Sequence, residues 1–568
     1  MTSNGIESQT DVLPIGPLQH GLWLFWKLNP KSSAYNMPEV FHFEGEYDPA
    51  AAQFAFDETI RRHEALRTTF RETYSGIVQV VDRDPDPVPI KVVDLRGLPE
   101  PERTQRLTAT IEAEMHLPFD LSARPAIRLT AIPVTTDRTS LVLVVHHVAC
   151  DGTSMVRLLD EFGEFYRAAR RGTPPDVGPP PPGYTAFVRK QLAALADDAL
   201  ADELAFWRQR LAGVSGSALP GDGGATQDPE SLDGCVVSTV LDADLAAAVL
   251  AYARHARATP FSIMLCAMKV MVAAATGDSD VALGTATSGR TSEFAGTVGM
   301  LANTLVVRSE IDISRTFAEV LEGVSLDLMD AIDYQNLPFS QVITELSGAG
   351  LERGEDVVRT MFAGGANGGL TLGEGRLSDD PVRTVESAFD LVTICYVDST
   401  EIALDWEYAL RTYSRAAARG YCDAFLVILR TVLHQPDAPM SSLGLTETLA
   451  RLIPRAWPER SSTDAVPDAP TDAVPADQPG MPADDALTSV ERAVASIWSE
   501  VLNVAVETPS DNFFRLGGHS MLASQTVALV RNTVSRVATL RMLFDHPQLR
   551  EFCSRLDVSD AIDAEAAG

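Results

Sequence analysis

Two short stretches hold residues whose types and spacing could do chemistry. The first is His146-His147-Val-Ala-Cys-Asp151-Gly152-Thr-Ser154. It follows Val142–Val145, a continuous run of branched apolar residues that reads as a strand buried on both faces. In α/β folds, side chains meet ligands at the carboxyl ends of such strands. An imidazole placed there can accept or steer a proton near neutral pH. The Asp-Gly turn can bring a carboxylate back to orient that end of the strand. Neighbouring residues of an extended chain point to opposite faces, so one of the two histidines is expected to serve the scaffold. A His-His-Asp metal set is a rival reading. Adjacent strand residues chelate poorly, however, and no further ligand cluster accompanies them, so no metal is expected. A structural role for both histidines is the remaining alternative on the local sequence.

The second stretch is Leu516-Gly517-Gly518-His519-Ser520-Met521-Leu522. Glycines ahead of a serine at a helix start leave the hydroxyl exposed beside free backbone N–H groups and a positive dipole end. That suits attachment of a phosphate-bearing group. Taken alone, the same pattern is also an ordinary serine N-cap.

The elements that must position these residues alternate. Short apolar runs at Thr304–Arg308 and Leu391–Tyr396 resemble the strand before His146, and helical periods at Asp48–Arg62 and Thr316–Tyr334 lie between them. This mixture reads as two α/β lobes. The four prolines of 179–182, within Thr173–Gly183, enforce an extended path between the lobes. A longer connector, from about Pro458 to Asp485, repeats Thr-Asp-Ala-Val-Pro at 463–467 and 471–475. It holds almost nothing large and apolar, so it reads as an acidic, semi-stiff tether. Beyond it the pattern is helical. Thr488-Ser-Val-Glu491 is a capping box before Val490, Val494, Ile497, Trp498 and Val501, and Met521–Val534 is a second helical run.

Composition narrows the function classes. The 568 residues carry 46 Lys plus Arg against 78 Asp plus Glu, a net charge of −32. So acidic a chain repels phosphate backbones and anionic headgroups, which argues against nucleic acid and membrane surfaces as partners. No apolar run is long enough to span a bilayer, and Met1–Asp11 lacks the basic and apolar stretch of a secretory signal. The 6 cysteines show no CxxC spacing and are expected to be small buried thiols in a reducing compartment. A cytoplasmic location is expected.

Residues 1 to about 455 resemble the condensation domain of non-ribosomal peptide synthetases. The resemblance rests on HHxxxDG at His146–Gly152 and on Arg61-Arg-His-Glu-Ala-Leu-Arg-Thr-Thr-Phe70. It rests also on Pro17–Trp23, Ser33–Pro38, Gly284-Thr-Ala-Thr-Ser-Gly-Arg290, Val298–Arg308 and Tyr334-Gln-Asn-Leu-Pro-Phe339, the last with Tyr where the family has His. Residues 488 to about 556, with Asp511-Asn-Phe-Phe-Arg-Leu-Gly-Gly-His-Ser520, resemble a peptidyl carrier protein. The arginine-rich stretch usual ahead of a second-lobe strand is replaced by Leu351–Phe362. No adenylation domain separates the two regions.

The resemblance implies an α/β fold of two chloramphenicol-acetyltransferase-like lobes forming a V-shaped pseudo-dimer, then a small all-α four-helix carrier. The expected divisions are 1–175 and 184–455 for the lobes, 456–487 for the linker, 488–556 for the carrier and 557–568 for a tail. A tunnel between the lobes would place His147 at its middle. There it would position the acceptor amine and manage its proton. Asp151 would pair with Arg290 and brace the loop, Gly152 would offer room and an N–H near the developing oxyanion, and His146 would be scaffold. Ser520 would carry 4′-phosphopantetheine, added by a separate phosphopantetheinyl transferase. The implied reaction joins a donor acyl thioester, on an upstream carrier supplied in trans, to an aminoacyl group on Ser520 loaded by a separate adenylation enzyme. The alternatives keep the fold: ester formation, release onto a soluble amine, epimerisation, or a non-catalytic platform recruiting tailoring enzymes to the carrier.

Overall fold

The computed structural model describes residues 10–453, apart from 75, 124, 197–199, 227, 229–230, 348–356, 366–375, 380–383 and 399–400. It also describes residues 487–556, apart from 503, 514, 517–519, 536–537, 539–541 and 544–545. These residues form two compact units that divide between Leu452 and Ile453.

The first unit begins with β1 (Thr10–Pro14), α1 (Pro17–Leu28), β2 (Asn36–Glu44), α2 (Pro49–Arg62), β3 (Thr68–Thr73) and β4 (Gly76–Asp82). It continues through β5 (Lys91–Val92), α3 (Glu102–Met115), β6 (Ile127–Pro133), β7 (Arg138–His146) and α4 (Gly152–Arg171). After the proline segment come α5 (Tyr184–Ala196), α6 (Ala201–Arg210), β8 (Asp233–Val240), α7 (Ala243–Ala256), α8 (Pro260–Thr276), β9 (Asp280–Thr287) and β10 (Asn303–Glu310). Then follow α9 (Phe317–Asp333), α10 (Phe339–Ser347), β11 (Thr360–Gly364), β12 (Arg376–Asp379) and β13 (Thr384–Glu386). The unit closes with β14 (Leu391–Val397), β15 (Ile402–Ala409), α11 (Arg415–His434) and α12 (Leu445–Leu452).

Local chemistry sets several of these boundaries. Asp48 caps α2 by accepting from the N–H groups of Ala50 and Ala51 at 2.9 and 3.0 Å, with Pro49 in the first helical position. Thr316 and Glu319 form a reciprocal capping box at the start of α9. β7 is buried along nearly its whole length because it lies inside a five-stranded sheet ordered β12-β2-β7-β6-β5. β2 runs antiparallel beside it, with Asn36 opposite His146. The second lobe has a seven-stranded sheet ordered β10-β9-β11-β14-β15-β8-β13, and β1, β4 and β3 form a small third sheet. One strand crosses between the lobes. β12 follows a second-lobe strand yet pairs with β2 of the first lobe, Arg376 opposite Glu44 and Asp379 opposite Phe41.

The Arg61–Phe70 motif secures the proline hinge. Arg62 donates to the carbonyls of Val177, Gly178 and Pro179 at 2.9, 3.2 and 2.8 Å. Glu64 accepts from the N–H of Thr185 at 2.9 Å, at the start of α5. A Cβ on Gly183 would stand 2.3 Å from the Glu64 carboxylate, which would have to move aside from the Thr185 N–H to admit it.

α8 is apolar around its circumference because it is the core helix of the second lobe, buried from Ser262 to Ala275. No single helix among the described residues is long and apolar enough to cross a membrane. Within α8, fully buried Lys269 donates to the carbonyls of Val281 and Val307 at 2.9 and 2.5 Å. A neutral amine has two N–H bonds, one for each carbonyl, and burial pulls the Lys269 ammonium down to about 7.

In the second unit, α13 (Ser489–Leu502), α14 (Ser520–Thr533) and α15 (Leu549–Ser554) lie among the described residues. Trp498 of α13 is fully buried, edge-on to Phe513 at 5.1 Å and tilted against Phe552 at 6.1 Å. Thr488 accepts from the N–H of Glu491 at 3.2 Å, and Glu491 accepts from that of Thr488 at 2.7 Å, which closes the capping box. The tether lies outside the described residues up to 486.

Lys269 makes a prediction for stability against pH. Unfolded lysine, with its ordinary value of about 10.4, holds a proton that the folded core sheds above about 7. Its contribution is therefore lost as pH falls from the unfolded value towards about 7. Over pH 7–9 it should raise stability by up to about 1.4 kcal/mol per pH unit. Lys269→Met should flatten that rise, read as urea midpoints at pH 7, 8 and 9; an unchanged slope would place its source elsewhere.

Candidate functional site

The site is built where β7 ends. His146 is its last residue, His147–Ala149 form one turn of 3-10 helix, and α4 starts at Gly152. The two histidines differ sharply in setting. His146 is 5% exposed, and its Nδ1 accepts from the N–H of Val148 at 3.1 Å. Burial, with the neighbouring His147 and Arg128, pulls its pKa down to about 3, so it is neutral at ordinary pH. His147 is half-buried. Its Nδ1 lies 2.7 Å from the carbonyl oxygen of Cys150, which can only accept. In the neutral ring the proton therefore sits on Nδ1, and Nε2 bears the lone pair. The two rings are locked in opposite tautomers.

Several contacts hold His147 in place. Its N–H donates to the carbonyl of Tyr35 at 2.8 Å, and the Tyr35 ring stands edge-on to the imidazole with centroids 6.3 Å apart. Beneath the 3-10 turn, buried Gln19 donates from Nε2 to the carbonyl of Val148 at 2.9 Å. Cys150 is buried, and its thiol is pushed well above the ordinary range by burial, with Asp151 adding to the effect. It is an inert spacer in this loop.

Asp151 stands at the start of α4, opposite Arg290. It caps α4 and binds the second lobe. Arg290 grips it with two parallel bonds, Nη1 to Oδ2 at 2.8 Å and Nη2 to Oδ1 at 2.9 Å. Oδ2 also accepts from the N–H groups of Leu301 and Ala302 at 3.0 Å, and Oδ1 from that of Ser154 at 2.8 Å. The carboxylate thus takes five donors while its side chain is 2% exposed and that of Arg290 is 7% exposed. Ser154 completes the junction: its hydroxyl accepts from Arg290 at 2.7 Å and donates to the carbonyl of Gly299 at 2.9 Å. Gly152 is exposed at the first position of α4, and a Cβ there would meet nothing within 4 Å.

Glycine is required twice in the loop that delivers Arg290. Gly289 has φ +60°, and a Cβ on it would stand 1.9 Å from the carbonyl oxygen of Leu301. A Cβ on Gly299 would stand 2.1 Å from the ring of Tyr184, whose hydroxyl donates to the carbonyl of Met300 at 2.9 Å. Beside the ion pair is a cavity of about 570 Å³ lined by Thr153, Arg157, Glu161, Val177, Arg290 and Thr297 among others. His147 lies outside its lining, so this cavity is not the tunnel expected around that ring. Among the described residues no group of three or more His, Cys, Asp or Glu is placed to hold a metal ion.

Ser520 opens α14, the only site residue in the second unit. Gly517, Gly518 and His519 lie outside the described residues. A first-turn position on a 14-residue helix fits a phosphodiester, which the unpaired N–H groups and the helix dipole favour.

Comparison with known proteins decides the family. The condensation-domain family matches residues 9–451, and the phosphopantetheine attachment site family matches residues 492–556. The chain belongs to the condensation-domain family of non-ribosomal peptide synthetases and carries, after that domain, a carrier domain of the phosphopantetheine-binding kind. It is similar to chondramide synthase of Chondromyces crocatus, 31% identical over 444 residues, which is 78% of this chain and 11% of that protein. With the phosphinothricin tripeptide synthetase PhsB of Streptomyces viridochromogenes it shares 27% over 477 residues, 82% of this chain and 40% of the relative. The chain thus spans less than half of either relative. The SgcC5 protein of Streptomyces globisporus superposes with a TM-score of 0.62 at 23% identity, over 75% of this chain and 100% of that structure. This last likeness concerns the fold, which is the chloramphenicol-acetyltransferase-like one. Condensation domains of these synthetases are amide-forming acyltransferases, and the carrier's cofactor is 4′-phosphopantetheine.

Of the residues singled out from the sequence, the fold gathers His146, His147, Asp151, Gly152 and Arg290 at one junction of the condensation domain. The sequence reading missed the carbonyls of Tyr35 and Cys150 and the N–H groups of Leu301 and Ala302. These are backbone atoms, which residue identity does not announce.

The ion pair predicts a stability effect. Removing one partner strands the other charge without solvent, so Asp151→Ala and Arg290→Ala should each cost roughly 3–5 kcal/mol. The double variant should cost clearly less than their sum, because the partners share one interaction. Denaturant unfolding of the full chain checks both, and additive losses would show that the pair is not coupled.

Proposed function

We propose that the condensation domain joins a donor acyl or peptidyl thioester to an aminoacyl group carried on Ser520, with His147 holding the attacking nitrogen. The observation that supports this most directly is the Cys150 carbonyl on Nδ1, which leaves the half-buried Nε2 as an acceptor. Nε2 accepts an N–H bond of the acceptor amine and so aims the nitrogen lone pair at the donor carbonyl carbon. As the C–N bond forms and the C–S bond breaks, the proton passes through Nε2 to the departing thiolate. An amine with pKa near 8 is already about a tenth neutral at pH 7, so no strong base is required. Holding two reactants in line can supply roughly 7–11 kcal/mol, against about 10²–10⁴-fold from proton transfer. His147 therefore acts first as a positioning group and second as a proton carrier.

Asp151 and Arg290 do not touch substrate in this reading; they fix the loop from which His147 projects. Gly152 leaves room beside the reacting carbonyl, and His146, neutral and buried, is scaffold. When 4′-phosphopantetheine is attached to Ser520 it supplies the thiol on which the amino acid is carried. The protein's own part is to present that serine at the start of α14. A phosphopantetheinyl transferase adds the group. The segment 456–487, built from Ala, Asp, Pro, Ser and Thr, occupies the place where an adenylation domain would separate condensation domain and carrier. We therefore assign loading to a separate adenylation enzyme.

The test is direct. Charge Ser520 with an aminoacyl-phosphopantetheine, add an acylated donor carrier, and follow the intact masses. The carrier should gain the donor acyl mass in the wild-type chain, and His147→Ala should slow that gain by at least about 10²-fold. Gain at the wild-type rate in His147→Ala overturns the assignment. Ser520→Ala should accept no phosphopantetheine, and a modified variant would refute the attachment site.

A further inference from the structure

The contacts that hold His147 lead back to the second lobe. Tyr35, whose carbonyl takes the His147 N–H, lies in the irregular segment 32–35 between α1 and β2. No strand or helix ladder fixes this segment; turn bonds close its two ends, Ser32 N–H to the Asn29 carbonyl at 2.9 Å and Asn36 N–H to that of Ser33 at 2.8 Å, and side-chain bonds tie it to its surroundings. Asn36 donates from Nδ2 to the carbonyls of Met115 and Leu117 at 2.8 and 3.1 Å. Ser32 and Ser33 both donate their hydroxyls to one carboxylate, that of Glu386, with Ser33 Oγ 3.0 Å from Oε1. Glu386 is the last residue of β13, the edge strand of the second lobe's sheet.

The direction of these bonds is fixed by chemistry. An ionised carboxylate only accepts, so the single proton of the Ser33 hydroxyl is committed to Glu386. Ser33 Oγ also lies 3.1 Å from Nδ1 of His116 and can then only accept there. The chain of donors runs from His116 Nδ1–H to Ser33 Oγ–H to Glu386. Ser33 is 6% exposed, and its backbone carbonyl accepts the N–H of Asn36 at 2.8 Å, the residue that opens β2 opposite His146.

We propose that Glu386 is a positioning residue for His147, acting across the two lobes through Ser32, Ser33 and the carbonyl of Tyr35. The proposal rests on the role given above to His147. Without the carboxylate, the segment 32–35 loses its tie to the second lobe, and the carbonyl that fixes the His147 backbone loses its own support. A misplacement of about 1 Å at a reacting group costs up to about 10²-fold in rate. Substrate contacts are untouched, so the loss belongs in the rate of the step and not in donor binding.

The experiment uses the full chain with aminoacylated Ser520 and a donor carrier. Glu386→Ala should lower the single-turnover rate at saturating donor by about 10- to 100-fold, with the half-saturating donor concentration within about twofold of wild type. Glu386→Gln keeps one carbonyl oxygen for the hydroxyls and should recover most of the rate. The double variant Glu386→Ala, Ser33→Ala should be no slower than the worse single variant. A second readout does not depend on turnover: the ring ¹³Cε1–¹H signal of His147, assigned by its loss in His147→Ala. It should shift or split in Glu386→Ala and return in Glu386→Gln. An unmoved ring signal, or a rate within about twofold of wild type, overturns the proposal. If the wild-type chain forms no product, the reading of its function fails, and the ring signal alone decides whether Glu386 positions His147. Should Glu386→Ala not fold, the same two readouts are taken from Ser33→Ala, where wild-type values in both readouts overturn it.

Discussion

A buried carboxylate holds the two lobes of the condensation domain together. Leaving Asp151 charged and nearly out of water is tenable only because five donors meet it, two from one guanidinium and three from backbone N–H groups. Four of the five donors, two on Arg290 and one each on Leu301 and Ala302, come from one second-lobe loop, and the fifth, on Ser154, comes from the helix that Asp151 caps. The one residue therefore ends the loop that carries His147, starts α4 and docks the other lobe. The glycines follow from the same demand. The loop must turn at Gly289, with φ +60°, to aim Arg290 inward, and must press Gly299 onto Tyr184 to bring its N–H groups within reach.

The adjacent histidines show how little sequence is needed to give one residue type two roles. Both follow the same strand, yet one ring turns inward and the other stays half-open. The difference lies in which backbone group each ring meets. His146 Nδ1 meets an N–H and must be bare, whereas His147 Nδ1 meets a carbonyl and must be protonated. Burial reinforces the first assignment by holding His146 neutral, with its pKa near 3. The 3-10 turn makes both contacts possible, because it brings the carbonyl of Cys150 and the N–H of Val148 back over the two rings.

Much of this was legible in the sequence for physical reasons. The unbroken Val142–Val145 run announced a strand buried on both faces, and β7 is one. Thr488 with Glu491 announced a helix start, since caps are local chemistry, and the helical periods at Asp48–Arg62 and Thr316–Tyr334 announced α2 and α9. What remained hidden was long-range. Residue types gave no sign that the chain from Arg376 to Asp379 leaves the second lobe to pair with β2, since a four-residue strand carries too little pattern to name its partner. Nor did residue types announce the N–H groups of Leu301 and Ala302 that meet Asp151 from far along the chain. Backbone donors and acceptors decided the tautomers, and no residue type encodes them.

Two of the contacts that join the lobes differ in strength. At α4 the junction is a desolvated ion pair, and separating it gives up five bonds to one carboxylate at once. At β13 it is a pair of hydroxyl–carboxylate bonds in a part-buried setting, where water can replace each partner as it leaves. Hydrogen bonds to a charged group contribute about 1.5–3 kcal/mol net, and the water-accessible ones less. Of these two contacts, the one at Ser33–Glu386 is the cheaper to break. His147 lies between them: Asp151 fixes its loop at one end, and its backbone N–H is tied at the other, through the carbonyl of Tyr35, to the segment that Glu386 holds.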